Sequence, residues 1–224
     1  MPTDALINVN GDSVQTLEIL FLTTVMMLLP SLIIMMSSFT RYVVVFSFLR
    51  NAMGTQQTPP NMVLVGMALI LTLFTMSPTL AAINEEAFVP YQQEEITQEE
   101  FFDRAQVPLK RFMANWAELE SVGLYCTMSG VEAPETQEEV VQLPLTVIIP
   151  AFVTSELKHA FILGFLLYIP FILIDMLVAS TLMSMGMVML PPSMISTPFK
   201  LLLFILLDGW QLLFSTLVAG FSLG

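Results

Sequence analysis

The sequence predicts an all-α integral membrane protein, built as two long helical hairpins flanking an acidic helical insert. Three observations predict this. Of the 224 residues 55% are hydrophobic and 12% charged, where soluble domains carry about 25% charged residues, and the mean hydropathy is +0.78. Long apolar runs with few or no charges recur along the chain, each near the length a helix needs to cross a bilayer. Finally, most of the acids sit in a single central stretch.

Residues 1–18 form a polar N-terminal segment. Its first ten residues hold no Lys or Arg, so the basic start of a secretory signal is missing and nothing in it reads as cleavable. The first hairpin is assigned to residues 19–83. Ile19 to Thr40 is uncharged, with an expected kink at Pro30, and Tyr42 to Leu49 is too short to span, so it reads as a buried or interfacial continuation. Arg41 and Arg50 are placed at the hairpin tip. The stretch from Arg50 to Asn61 is rich in turn formers, including Gly54 and the pair Pro59 and Pro60, and the uncharged run Met62 to Ile83 supplies the returning helix.

Residues 84–143 carry thirteen acids against Arg104, Lys110 and Arg111, the mark of a water-exposed domain. Within it Thr97-Gln98-Glu99-Glu100 fits a capping box, and Phe101, Ala105, Leu109, Phe112 and Trp116 recur at helical spacing. Residues Ser129 to Glu139 read as a mobile loop. The paired acids could serve acid–base chemistry or cation binding, but a solvated helix face accounts for them more simply. The second hairpin occupies residues 144–224. Leu143 to Ser155 is a short buried lead-in with Pro144 and Pro150, Phe161 to Pro192 is a long span holding one charge, Asp175, and Phe199 to Gly224 returns past Lys200 and Asp208.

The turn of this second hairpin is the candidate functional site. Met183, Met185, Met187 and Met189 alternate around Gly186, and Pro191 and Pro192 follow, so no regular helix is expected beyond Leu190. On an unwound segment, side chains two apart share a side, and unbranched thioethers adapt to whatever they touch. A ring of such tips would make a soft gasket. The plainer reading is that these methionines fill irregular gaps or face lipid.

Intramembrane charges need partners. Glu156 and Lys200 each introduce an apolar block and are candidates to pair, within one chain or between copies. Asp175 and Asp208 lack a basic neighbour in their own segments and are read as buried acids. Asp208, beside Gly209 and Trp210, reads as structural, while Asp175 stays open between a proton relay and a helix contact. Basic residues near the tips place both tips toward the cytoplasm, with the insert and both termini outside.

An acidic chain, net charge -12, is unsuited to nucleic acid. Phosphate-binding, zinc-protease and nucleophile-elbow motifs are missing, His159 is the one histidine, and Cys126 has no partner for a disulfide. The reading is therefore no enzyme, no cofactor and no metal, with two classes surviving: a pore subunit assembled with partners, or a small-solute secondary transporter.

Four stretches carry a resemblance: Met35 to Arg41, Leu49 to Asn61 (LRNAMGTQQTPPN), Pro150 to Phe161 (PAFVTSELKHAF), and Pro198-Phe199-Lys200 through Asp208-Gly209-Trp210-Gln211. In these the chain closely resembles the FliP family of flagellar type III export gate proteins, from about Ile19 onward. The sister SctR family of virulence injectisomes shares the layout, but the TQQTPPN wording leans to the flagellar branch. The resemblance implies a pore-forming subunit through which unfolded flagellar proteins leave the cytoplasm, required for flagellum assembly. It implies a homo-oligomeric ring, a pentamer, with FliQ, FliR and other export apparatus proteins, in the bacterial inner membrane at the flagellar basal body. Much of that assembly would project toward the periplasm. The gasket maps onto Met187, Val188 and Met189, with Met185 as an additional candidate and Gly186 as the hinge, and Glu156 with Lys200 matches a charged pair between copies. Val188 stands where a third methionine is usual, which would stiffen the seal. Family members often carry a cleaved signal peptide, so a trimmed or re-started sequence is expected here.

Overall fold

The computed structural model describes residues 7–9, 12–14, 16–55, 57–187 and 189–221. Apart from a small antiparallel ribbon, β1 (Ile7–Val9) with β2 (Asp12–Val14), these residues are helical or in short connections. The ribbon lies in the segment read simply as polar.

Helix α1 (Thr16–Met35) is exposed at every residue from Leu20 to Met35. A helix apolar on all sides is covered by lipid or by other helices. Pro30 lies inside α1, which continues past it, and the helix breaks at Met36-Ser37-Ser38, where the chain turns by 69° into α2 (Phe39–Ala52). Ser37 makes that break affordable. Its hydroxyl donates to the Ile34 carbonyl at 2.5 Å and accepts from the Phe39 amide at 3.3 Å, so backbone groups freed by the bend stay bonded.

Helix α3 (Asn61–Ile83) does not stop where the acids begin. It runs through a π-helical turn, Asn84–Phe88, into α4 (Val89–Gln92), making one apolar rod from Asn61 to Gln92. Its buried face is a single stripe at intervals of four: Leu64, Ala68, Thr72 and Met76. The insert then supplies α5 (Gln98–Trp116) and α6 (Leu119–Ser129). The predicted capping box is present: the Thr97 amide donates to Glu100 at 2.8 Å and the Glu100 amide to the Thr97 hydroxyl at 3.3 Å. Pro108 lies inside α5, which continues past it. The segment read as a mobile loop is tied down, because Gln137 donates to the Ala114 carbonyl and, at 2.7 Å, to that of Ala117, while Val140 in the 3-10 turn Glu139–Gln142 is buried.

Helix α7 (Leu145–Ser184) is the spine. The lead-in and the span are one continuous helix of 40 residues, about 60 Å long, despite Pro150 and Pro170. Two cores hang on it. At its start Val147, Ile148, Ala151 and Phe152 pack with Phe112, Met113, Val122 and Cys126 of the insert. Farther along, Ala160 and Phe171 pack with Tyr42, Phe46 and Leu49 of α2 and with Leu64 of α3. Gly164 marks a close approach of α7 to α2, since a methyl group there would lie 2.5 Å from the Phe48 ring.

The last apolar block is not one helix. Helix α8 (Pro192–Leu206) begins before the predicted Phe199 and is followed, after a 63° bend, by α9 (Gly209–Ala219), with Asp208 at φ +48° in the corner. Leu213 and Leu217 of α9 return to the α2 core. Among the described residues two helices, Asn61–Gln92 and Leu145–Ser184, are long and apolar enough to cross a membrane, and up to four spans result if each bent pair counts as one.

Candidate functional site

The methionine turn lies at the far end of α7. The helix stops at Ser184, six residues before the predicted limit, because Gly186 at φ +75° terminates it. The Met187 amide donates to the Leu182 carbonyl and the Gly186 amide to that of Met183, both at 3.0 Å, which together form the Schellman cap. Glycine is required at this place by its left-handed backbone. The stop is thus a capped end, and the Pro191–Pro192 pair marks the start of α8 rather than the finish of α7.

Beyond the cap the side chains stand clear of the chain. Met183 and Met185 are exposed, Met187 is 39% exposed, and Met189 is 98% exposed. Val188 lies outside the described residues. Among the described residues the hydrogen bonds of this turn are local, the Leu190 amide reaching Met187 at 3.4 Å and the Met194 amide reaching Pro191 at 3.1 Å.

The charged residues are arranged differently from the expected pattern. Glu156 and Lys200 do not pair within the chain. Glu156 is fully enclosed and forms a two-pronged ion pair with Arg41, Nε donating to Oε2 at 2.8 Å and Nη2 to Oε1. Arg41 is therefore no tip charge: α2 begins two residues earlier, so the guanidinium is carried inward. Its Cζ lies 3.7 Å from the Phe221 ring centroid and 5.3 Å from that of Trp116, two aromatic faces that shelter the cation. The same junction holds the insert on α7. The Glu118 amide donates to the Ser155 hydroxyl at 2.9 Å, Lys158 donates to the Glu118 carboxylate at 2.6 Å, and His159 Nε2 lies 3.4 Å from that carboxylate.

Lys200, also buried, takes Asp175 instead. Its ammonium donates to Asp175 Oδ2 at 2.6 Å and to the Ala52 carbonyl, at the end of α2, at 3.0 Å. The Ser196 hydroxyl donates to Asp175 Oδ1 at 2.6 Å. Asp175 thus has the basic partner its own segment lacks, and with its side chain 40% exposed it is not a buried acid. Asp208 is not one either. It is exposed at the α8–α9 corner, where its backbone is left-handed.

Sequence reasoning missed Arg41, Ser196, Trp116 and Phe221 as participants. For Arg41 the signal was present, a lone base between two apolar runs. Ser196 stands four residues before Lys200, the spacing that puts two side chains on one helix face. Nothing local marked the aromatic shelter. Among the described residues no three His, Cys, Asp or Glu side chains come together as metal ligands.

This geometry gives a rigid, charge-pinned helical body and a bare sulfur-rich turn, and comparisons with known proteins place it. Residues 22–217 match the model of the FliP family. The chain is 47% identical to flagellar biosynthetic protein FliP of Bacillus subtilis, over 92% of each chain. It is 46% identical to the protein of that name from Aquifex aeolicus, over 95% of this chain and 88% of that one. Against the FliP of Buchnera aphidicola subsp. Acyrthosiphon pisum it is 45% identical over 94% of its own length but spans only 54% of that longer protein. With matches of this extent running through α1 to α9, the chain belongs to the FliP family.

Proposed function

We infer that the chain is a pore-forming subunit of the flagellar type III protein export gate, through which unfolded flagellar proteins cross the inner membrane during flagellum assembly. The observation that carries this is the near full-length identity to flagellar biosynthetic proteins. Those names favour the flagellar branch over an SctR-type injectisome. The large apolar surface left bare along α1 and around the turn supports a subunit that is covered by neighbours. Those neighbours are further copies in a ring, a pentamer, together with FliQ and FliR, with much of the assembly on the periplasmic side. The small-solute transporter reading gains nothing from Asp175, whose carboxylate is already held by Lys200 and Ser196.

In the ring, Met187, Val188 and Met189, joined by Met185, converge on the axis. An apolar constriction resists wetting and so excludes hydrated ions, while unbranched side chains re-orient cheaply when a polypeptide is driven through. Gly186 fixes where the stiff helix ends and the adaptable turn begins, the role expected of the hinge. Between copies, Lys200 has one N–H beyond the two it uses within its own chain. Glu156 of a neighbouring copy is the acceptor proposed for it, once assembly opens the wall around that carboxylate.

The test is the double variant Met187→Ala with Met189→Ala in assembled complexes. Ion leak across the inner membrane should rise while complex size stays unchanged. A tight double-variant pore would count against the gasket.

A further inference from the structure

The geometry points to Asp175 as the residue that positions the methionine turn, acting through Ser196 and Lys200 as a clamp across the α7–α8 hairpin. This rests on the reading of that turn as a gate. Three observations carry it. Ser196 and Lys200 lie one helical turn apart on α8, both are buried, and each donates at 2.6 Å to a different oxygen of the same carboxylate. The Lys200 ammonium also caps the end of α2 through the Ala52 carbonyl, so the clamp joins three elements rather than two. Beyond it, among the described residues, no hydrogen bond or ion pair links Met185 to Pro191 with any element other than the two helices it joins, α7 and α8.

The lever follows from helix dimensions. Asp175 stands nine residues before the end of α7, about 14 Å along the axis, while Ser196 lies about 6 Å into α8. Everything past that crossbar is a stiff rod on one side, a proline-started helix on the other, and a turn of exposed methionines between them. Where those sulfurs sit is set by the angle between the two rods. Within one chain, apolar packing brings the two rods together, and among the described residues the polar tie between them is a single carboxylate with one ammonium and one hydroxyl donor. Asp175 touches neither ion nor substrate, and its action is on geometry.

The experiment uses the complete chain assembled with its partners in inner-membrane vesicles, and reads ion leak per assembled complex and the yield of complex separately. Asp175→Asn keeps an acceptor for Ser196 but strips the counter-charge from Lys200. It should raise leak on the order of tenfold, the population change that follows loss of one charge-assisted hydrogen bond. Asp175→Glu should stay within a few-fold of wild type. A merely structural residue would lower the yield and leave the leak of surviving complexes unchanged, and that result overturns the inference. If Asp175→Asn yields no complex, Ser196→Ala decides: it keeps the ion pair and removes one arm, so increased leak supports the clamp and a tight pore overturns it. The Met187→Ala, Met189→Ala complex runs alongside. If it leaks and both clamp variants are tight, the clamp alone is wrong, whereas if it too is tight, the gate reading fails first.

Discussion

The two ends of α7 share a helix and an oily composition, yet the chain treats them in opposite ways. At the start, Val147, Ile148, Ala151, Phe152 and Glu156 are enclosed by the insert, by α2 and by Phe221. At the finish, Met183 and Met185 project from the chain and the turn beyond has no tertiary hydrogen bond among the described residues. At each end an acid of α7 also pairs with a buried base of another helix, but Arg41–Glu156 is sealed on both sides whereas Asp175–Lys200 leaves its carboxylate partly open. The difference teaches that hydrophobicity along a span does not say what covers it. One end is completed within the chain; the other is left for something outside it.

The largest effect should come from the sealed end. Removing one partner of a buried ion pair strands the other charge, which costs about 3–5 kcal/mol. Glu156→Ala and Arg41→Ala should each lower stability by that order, read by thermal unfolding in detergent. Exchanging the charges, Arg41→Glu with Glu156→Arg, should recover part of the loss, since the guanidinium and carboxylate can still meet between Trp116 and Phe221. If only the exchange of Glu156 with Lys200 restores the protein, the contact between copies outweighs the one within the chain, and the contrast between the two ends narrows.

Part of this was legible beforehand. The long apolar helices follow from length and hydropathy, and the Thr97 to Glu100 cap from four consecutive residues, because each depends on neighbours in sequence. The pairing of charges was not legible. Arg41 and Glu156 are 115 residues apart, and nothing local prefers that partner to Lys200. The break at Met36-Ser37-Ser38 was not foreseen, although the Ser37 hydroxyl serves two backbone groups there. The end of α7 depended on Gly186 taking a left-handed backbone, which the sequence permitted without requiring. The methionine turn was found by its pattern, while its exposure was a property of the packed chain.

At the open end the expected stability change is small. Met189 is 98% exposed, so Met189→Ala should move unfolding of the isolated chain by less than about 0.5 kcal/mol. The same substitution should destabilise the assembled complex more than the monomer if neighbours cover the turn. Comparing the two melting shifts therefore separates a side chain awaiting a partner from one that simply faces lipid. Equal shifts would remove the reason for treating the two ends of α7 as different kinds of surface.

The most local effect lies in the insert, and it is a pH effect with a definite sign. The Thr97 amide, followed by the Thr97 hydroxyl, holds the Glu100 carboxyl below the usual carboxylate range. A folded-state value lowered in this way means the ionised cap contributes stability above the unfolded value, and that contribution is lost as pH falls through the folded one. The protection factors of the first-turn amides of α5, with the intrinsic exchange rate at each pH divided out, should therefore fall on acidification through the carboxylate range, ahead of those in the rest of the helix. Glu100→Gln should remove that pH step, while Thr97→Ala should weaken the turn by about 1 kcal/mol near neutrality. Both substitutions should leave the buried end of α7 untouched, because Phe112 and Phe152 lock the insert to the spine several turns away from the cap. A cap variant that loosened the Arg41–Glu156 junction would mean that the insert and the sealed end of α7 fold as one unit.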